Sequence, residues 1–261
     1  VQDCGYSLFI AASEHDPARE RKIVQTMMEQ RTDGVIICSS SFSAEQGRQL
    51  IAHGFPIVAV NYQAAEGFHY SIYHDDVDGS RQLTRHLINL GHRRIAYLGN
   101  SHSGRTTLDR LSGYRSEMNA ARLPIPDEYI QHVHGGEPHL GQTAVERFLR
   151  LEHPPTAILC FNDMLAIGVL QGLSLAGISV PAQISVTGFD NITFSAYTRP
   201  ALTTLDQPKR SIGREAAELL LDLLKPDNGS PSEGQQVKIL KGTLLVREST
   251  AAPETQGDCK K

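Results

Sequence analysis

Short apolar runs, each closing on a polar residue, alternate along the chain with amphipathic segments of helical length. The runs at 35–38, 57–61, 95–99 and 157–163 are apolar at nearly every position until their ends, and 184–190, read with them, carries Ser185 and Thr187 among its apolar residues. A strand with one wet face alternates, so unbroken runs of this length predict strands covered on both faces, as in a parallel sheet. Between them the spacing changes to the helical period. Asp16-Pro17 supplies an N-cap and a first helical residue, and Ile23, Val24, Met27 and Met28 then form one stripe that faces a sheet. Further helices are predicted near 44–54, 77–90, 108–122, 143–151, 164–176 and 208–224, with Gly91 and Gly177 as C-terminal stops. Further strands are predicted at 6–12, 70–73, 129–133, 202–205, 237–240 and 244–247.

About a dozen strands is too many for one compact parallel sheet. The pattern therefore predicts an α/β protein of two doubly wound parallel-sheet lobes joined by crossover strands. The first lobe is expected to hold 1–93 plus 208–241 and the second 94–207 plus 242–250. Residues 226–236 read as a polar surface loop, and 251–261 as a disordered tail with no apolar pattern to dock it.

The net charge of −4 argues against a nucleic-acid-binding face on this chain, because such domains neutralise phosphates with Lys and Arg. Arg93-Arg94 is too short a cluster to change that and reads as a solvated corner. Of four cysteines, Cys38 and Cys160 lie in apolar strands and Cys4 and Cys259 near the ends, with no disulfide framework or metal-type spacing. No apolar stretch approaches the roughly 18 residues of a membrane span.

Several decoys fail on spacing. Asp75, Asp76, Asp78 and Gly79 lack the positions of a calcium loop, and the 99–104 segment matches neither a nucleophile elbow nor a dinucleotide fingerprint. The 11 histidines are scattered over loops and helices, so neither a metal nor a catalytic histidine is assigned. What remains is a set of bidentate hydrogen-bonding groups: Asp75, Arg110, Asn162, Asp190 and Gln207. Several fall just past strand ends, where open α/β sheets bind ligands. A carboxylate accepts from two vicinal hydroxyls, a guanidinium donates a fixed fork, and an amide does both, which suits a sugar or nucleoside that is bound without reaction. Each residue also has a structural reading. Asp75 and Asp163 could be helix N-caps, Asp190 could cap its turn with Asn191, and Arg110 could be an exposed helix residue.

Six ordered motifs extend this picture: Asp75-Asp76-Val77-Asp78-Gly79 leading to Leu90-Gly91-His92-Arg93-Arg94-Ile95; Arg110-Leu111-Ser112-Gly113-Tyr114; Phe161-Asn162-Asp163-Met164-Leu165-Ala166-Ile167-Gly168; Val180-Pro181 with 185–191; Pro200-Ala201-Leu202-Thr203-Thr204 to Gln207; and 245–250. In them the chain resembles the effector-binding core of the lac repressor/gal repressor family of bacterial transcription regulators, which shares its fold with periplasmic sugar-binding proteins. The resemblance implies that Asp75, Arg110, Asn162 and Asp190 line an effector cleft between the lobes, with Gln207 nearby on a crossover strand. It implies no cofactor, no metal and no turnover. Where the family often places an aromatic ring against the effector, this sequence has Gly135-Gly136-Glu137-Pro138, so Phe161 or Phe194 is a candidate substitute.

The resemblance further implies a cytoplasmic homodimer that meets operator DNA only through an amino-terminal helix-turn-helix. That module, with the first strand and helix of the lobe, is expected to precede Val1, the chain reading as a fragment. Ile192, Phe194 and Tyr197 sit in a turn-rich stretch and are assigned to the dimer interface, with 44–53 contributing from the other lobe. The rival reading is a solute-binding protein of a sugar transport system. An enzyme of the doubly wound class comes third, since no phosphate loop, nucleophile elbow or metal set is present.

Overall fold

The computed structural model describes residues 4–14, 16–38, 55–61, 70–225 and 236–254. The predicted helix at 44–54, the loop at 226–235 and the tail from 255 lie outside them. The chain forms two units: Val1–His74 with Pro208–Leu240, and Asp75–Gln207 with Lys241–Lys261.

In the first unit, strands β1 (Val35–Ile37), β2 (Ile57–Val60) and β3 (Tyr70–His74) pair in parallel, and β9 (Gln236–Leu240) joins β3, also in parallel. Helix α1 (Pro17–Glu29) starts where Asp16 accepts from the Ala18 amide at 2.8 Å. Its Val24, Met27 and Met28 cover Val35, Ile37, Ile57 and Ala59 on one side of the sheet, as the stripe predicted. Helix α6 (Lys209–Leu223) brings Ile212, Ala216 and Leu220 against Val58, Val60, Tyr70 and Ile72 on the other. The strand predicted at 6–12 does not form. That stretch carries no ladder, and Leu8, Phe9 and Ile10 are exposed.

In the second unit, β4 (Ile95–Asn100), β5 (Ile130–Val133), β6 (Ala157–Cys160) and β7 (Ser185–Thr187) form a parallel sheet in the order β5-β4-β6-β7. A separate antiparallel pair joins β8 (Thr204–Asp206) to β10 (Thr243–Leu245). Helices α2 (Asp76–Asn89) and α3 (Gly104–Ala120) cover one face, where Leu83, Leu87, Tyr114 and Met118 pack on Ile95, Tyr97, Ala157 and Leu159. Helices α4 (Pro138–Leu149) and α5 (Asp163–Leu175) cover the other, with Phe148, Leu165 and Val169 against Ala96, Leu98, Ile158 and Val186. Successive residues of β4 thus face opposite helix layers, the period of two that a strand imposes.

Two motif glycines are spacers between helices. A Cβ at Gly113 of α3 would come within 2.4 Å of the Val77 carbonyl on α2, and one at Gly168 of α5 within 1.8 Å of the Pro138 carbonyl on α4. No side chain larger than hydrogen fits at either crossing.

Two boundaries differ from the sequence reading. The chain leaves the first unit at His74 and not at 93, because the apolar face of α2 is buried against α3 and β4 of the second unit. Asp75, assigned to the first lobe, consequently opens the second. The tail is docked further than expected as well. The Ala251 carbonyl accepts from His92 Nε2 at 2.9 Å and its amide donates to Ser185 Oγ at 3.1 Å, while Pro253 lies against Gly91. Polar anchoring by a buried histidine is invisible to a search for apolar pattern. No described helix is long and apolar enough to cross a membrane.

Candidate functional site

Arg110 projects from the second turn of α3 into the space past the carboxyl ends of β6 and β7, and only 6% of its side chain is exposed. The exposed-helix alternative for this residue is therefore excluded. A buried guanidinium must find acceptors for its donors. Nε donates to Asp76 Oδ1 at 2.8 Å, one terminal nitrogen donates to the Phe161 carbonyl, and the other lies 3.6 Å from Asp190 Oδ1. The plane is clasped between two rings, 3.6 Å from the Phe189 centroid and 4.5 Å from that of Phe161. Asp76 and Asp190 raise its pKa above the ordinary arginine value against the opposing effect of burial, so it is a permanent cation.

Asp190 follows β7 through Gly188-Phe189. Its backbone φ of 116° is one that side-chain-bearing residues rarely adopt, and its amide is tied to the Leu205 carbonyl at 2.9 Å. That anchoring turns its carboxylate toward Arg110 and lets it accept from the amide of Gln207, which follows β8. The Asp190 side chain remains 27% exposed, so it is reachable from solvent where Arg110 is not. Arg110, Asp190 and Gln207 are thus brought together. Asp76 and Phe189 complete the cluster and were missed as site residues, although both lie inside quoted motifs. Adjacent carboxylates at a helix start do not announce which one turns toward an arginine 34 residues on.

Asp75 and Asn162 do the structural work that was left open for the first of them. Asp75 Oδ1 caps α2 by accepting from the Asp78 amide at 2.9 Å. Asn162 Oδ1 caps α5 by accepting from Leu165 at 2.8 Å, and its Nδ2 donates to the Gly136 carbonyl at 3.3 Å. A Cβ at Gly136 would come within 2.6 Å of that Nδ2, so the Asn162 amide occupies the space beside the glycine pair. Of the two candidate aromatic contacts, Phe161 is buried against Arg110, whereas Phe194 points outward from a single 3-10 turn (Thr193–Ala196).

Asp163 is fully buried and structural. It accepts from Thr204 Oγ1 at 2.5 Å and from the Ile192 amide at 2.8 Å, and burial pushes its pKa up to about 6. These bonds hold the Ile192 turn, with Ile192 half-buried and Phe194 and Tyr197 exposed. Arg247 of the closing motif braces the same turn through the Leu202 carbonyl at 2.7 Å and Asn191 Oδ1 at 2.8 Å. Among the described residues no cluster of three or more His, Cys, Asp or Glu is placed to hold a metal ion.

Comparison with known proteins agrees with this architecture. Residues 84–250 match the periplasmic binding protein-like domain family. The HTH-type transcriptional repressor PurR of Actinobacillus pleuropneumoniae serotype 3 is 32% identical over 223 residues, 85% of this chain and 66% of that repressor. The chain thus spans slightly less than two thirds of that relative's length. A sugar-binding transcriptional regulator of the LacI family from Escherichia coli, solved with phosphate, superposes with a TM-score of 0.84 at 29% identity, covering 97% of this chain and 89% of that one. The Escherichia coli transcriptional repressor ascG superposes with a TM-score of 0.83 at 30% identity, covering 96% and 90%.

Proposed function

The chain belongs to the LacI family, whose effector-binding domains have the periplasmic binding protein-like fold, and from that premise we propose that it is the effector-sensing core of a bacterial transcriptional repressor. The supporting observation is the cluster of Arg110, Asp190 and Gln207 at the carboxyl ends of the second unit's strands. A charged, hydrogen-bond-rich set with one accessible carboxylate suits a hydroxyl-bearing ligand of the sugar or nucleoside class. Arg110 fixes the direction of the Asp190 carboxylate, and Asp190 with Gln207 makes the direct polar contacts. The ligand is bound and released unchanged, favouring one arrangement of the two units, and that arrangement sets operator affinity through a DNA-binding module. Such a protein acts in the cytoplasm as a homodimer, with Phe194 and Tyr197 at its interface. The resemblance to named repressors favours this reading over a transport solute-binding protein.

The test is a thermal-shift screen of pentoses, hexoses, sugar phosphates, purines and nucleosides, followed by calorimetry on any hit. Asp190→Asn keeps a short polar side chain at the unusual φ but removes the charge. It is expected to lower affinity about 10- to 100-fold, the worth of one charge-assisted bond at roughly 1.5 to 3 kcal/mol. Unchanged affinity in the folded variant would place the ligand elsewhere. Arg110→Ala is the wrong probe, since it would break the buried ion pair with Asp76 and cost stability directly.

A further inference from the structure

Past the ends of β4 and β5, two exposed histidines from different loops meet. His102 Nε2 lies 3.2 Å from His134 Nδ1, with ring centroids 4.8 Å apart and planes at 49°. Ser101 Oγ lies 2.9 Å from the same His134 nitrogen. The loops are fastened to each other. Asn100 Oδ1 accepts from the His102 amide at 2.9 Å and from the Gly135 amide at 3.1 Å, and Ser101 N donates to the Val133 carbonyl at 2.9 Å. One buried asparagine thus positions both histidine-bearing segments.

We propose that His102 and His134 form a two-imidazole site for a divalent transition metal ion of the zinc class. Bonds of about 2.0 to 2.1 Å at a tetrahedral angle separate two ligand nitrogens by roughly 3.3 Å, close to the spacing the loops already impose. Imidazole is the ligand that zinc, copper and nickel share. Because Asn100 holds the loops in register, the ion closes a chelate without ordering the backbone, and only small turns of two exposed rings are needed to converge their lone pairs. Water fills the remaining positions. His102 and His134 lie on the loops after β4 and β5, whereas Arg110, Asp190 and Gln207 come from α3 and from the segments after β7 and β8, so the Zn2+ readout is distinguishable from that of an effector titration.

The experiment is a Zn2+ titration of the full chain by calorimetry, with imidazole resonances followed by NMR. One equivalent should bind in the micromolar range, and the His102 and His134 signals should shift together. His102→Ala and His134→Ala should each weaken binding at least tenfold, and His139→Ala, on α4, not at all. A Zn2+ affinity within twofold of wild type in both histidine variants overturns the proposal. So do His102 and His134 signals that stay unmoved at saturating Zn2+, which would leave a proton-sharing imidazole pair.

Discussion

Strand β4 of the second unit turns Ile95 and Tyr97 to one helix layer and Ala96 and Leu98 to the other, and all four are sealed from solvent. The run Leu8-Phe9-Ile10 of the first unit is as apolar, yet its three side chains are 64%, 75% and 87% exposed. β9 shows the same contrast, with Val237 and Ile239 exposed on a strand whose one ladder partner among the described residues is β3. An apolar run reports that burial would be favourable. Whether it is buried depends on neighbours that the run itself does not encode: a ladder partner on its edge and a helix on each face.

The largest effect that would sharpen this contrast lies in the second core. Phe148 of α4 is fully buried among Ala96, Leu98 and Ile158. Phe148→Ala is expected to cost about 3 to 5 kcal/mol, from lost transfer energy and the cavity left behind. The loss should be read from the exchange rates of the slowest amides in β4 and β6, since a two-unit chain has no single unfolding equilibrium. A cost below about 1 kcal/mol would mean that this core is loosely packed and the contrast with the first unit overstated.

Next in size is a pH effect confined to the second unit. The folded Asp163 carboxyl keeps its proton up to about pH 6, because burial penalises the anion more than Thr204 and the Ile192 amide stabilise it. In the unfolded chain it ionises near 4. The folded state therefore binds this proton more tightly between those values, and the contribution of Asp163 to stability is fully present below pH 4 and is lost as the pH rises to about 6. The fall amounts to about 3 kcal/mol at 1.36 kcal/mol per unit. Asp163→Asn should flatten that interval, whereas a slope of the same size in the variant would assign it to another group.

Much of this was legible from residues alone. Of the stripe Ile23, Val24, Met27 and Met28, the last three pack against the sheet core as the period predicts, and Ile23 is not among the residues packed on it. The stops at Gly91 and Gly177 have the positive φ that their position requires, 102° and 73°. α4 begins at Pro138, earlier than the apolar pattern suggested, because its first turn opens on a proline at the first helical position and is closely packed against α5 through glycines that leave no apolar stripe in the sequence. The site was legible as an inventory and not as a geometry. Asn162 and Asp75 were named correctly as polar residues at strand and helix ends, but a helix N-cap and a ligand contact look alike in sequence. Asp76 was passed over because only the fold shows that it, and not Asp75, turns to Arg110. The His102–His134 pair was dismissed as scatter, since 32 residues separate rings that adjacent strands bring together.

The smallest stability effect is expected where the contrast began. Phe9 lies on an extended stretch without a ladder and is three-quarters exposed, so Phe9→Ser removes little buried area. Protection of the amides in β1 to β3 should change by less than about 0.5 kcal/mol, the usual range for a surface substitution. Self-association should respond more. Leu8, Phe9 and Ile10 present a β-prone apolar run with unpaired backbone groups, which is a template for pairing with another chain. Light scattering at increasing concentration should therefore show less association for Phe9→Ser than for the wild type, at unchanged stability. A loss of more than about 2 kcal/mol would show instead that the run is covered in solution, which removes the difference between the two units at its source.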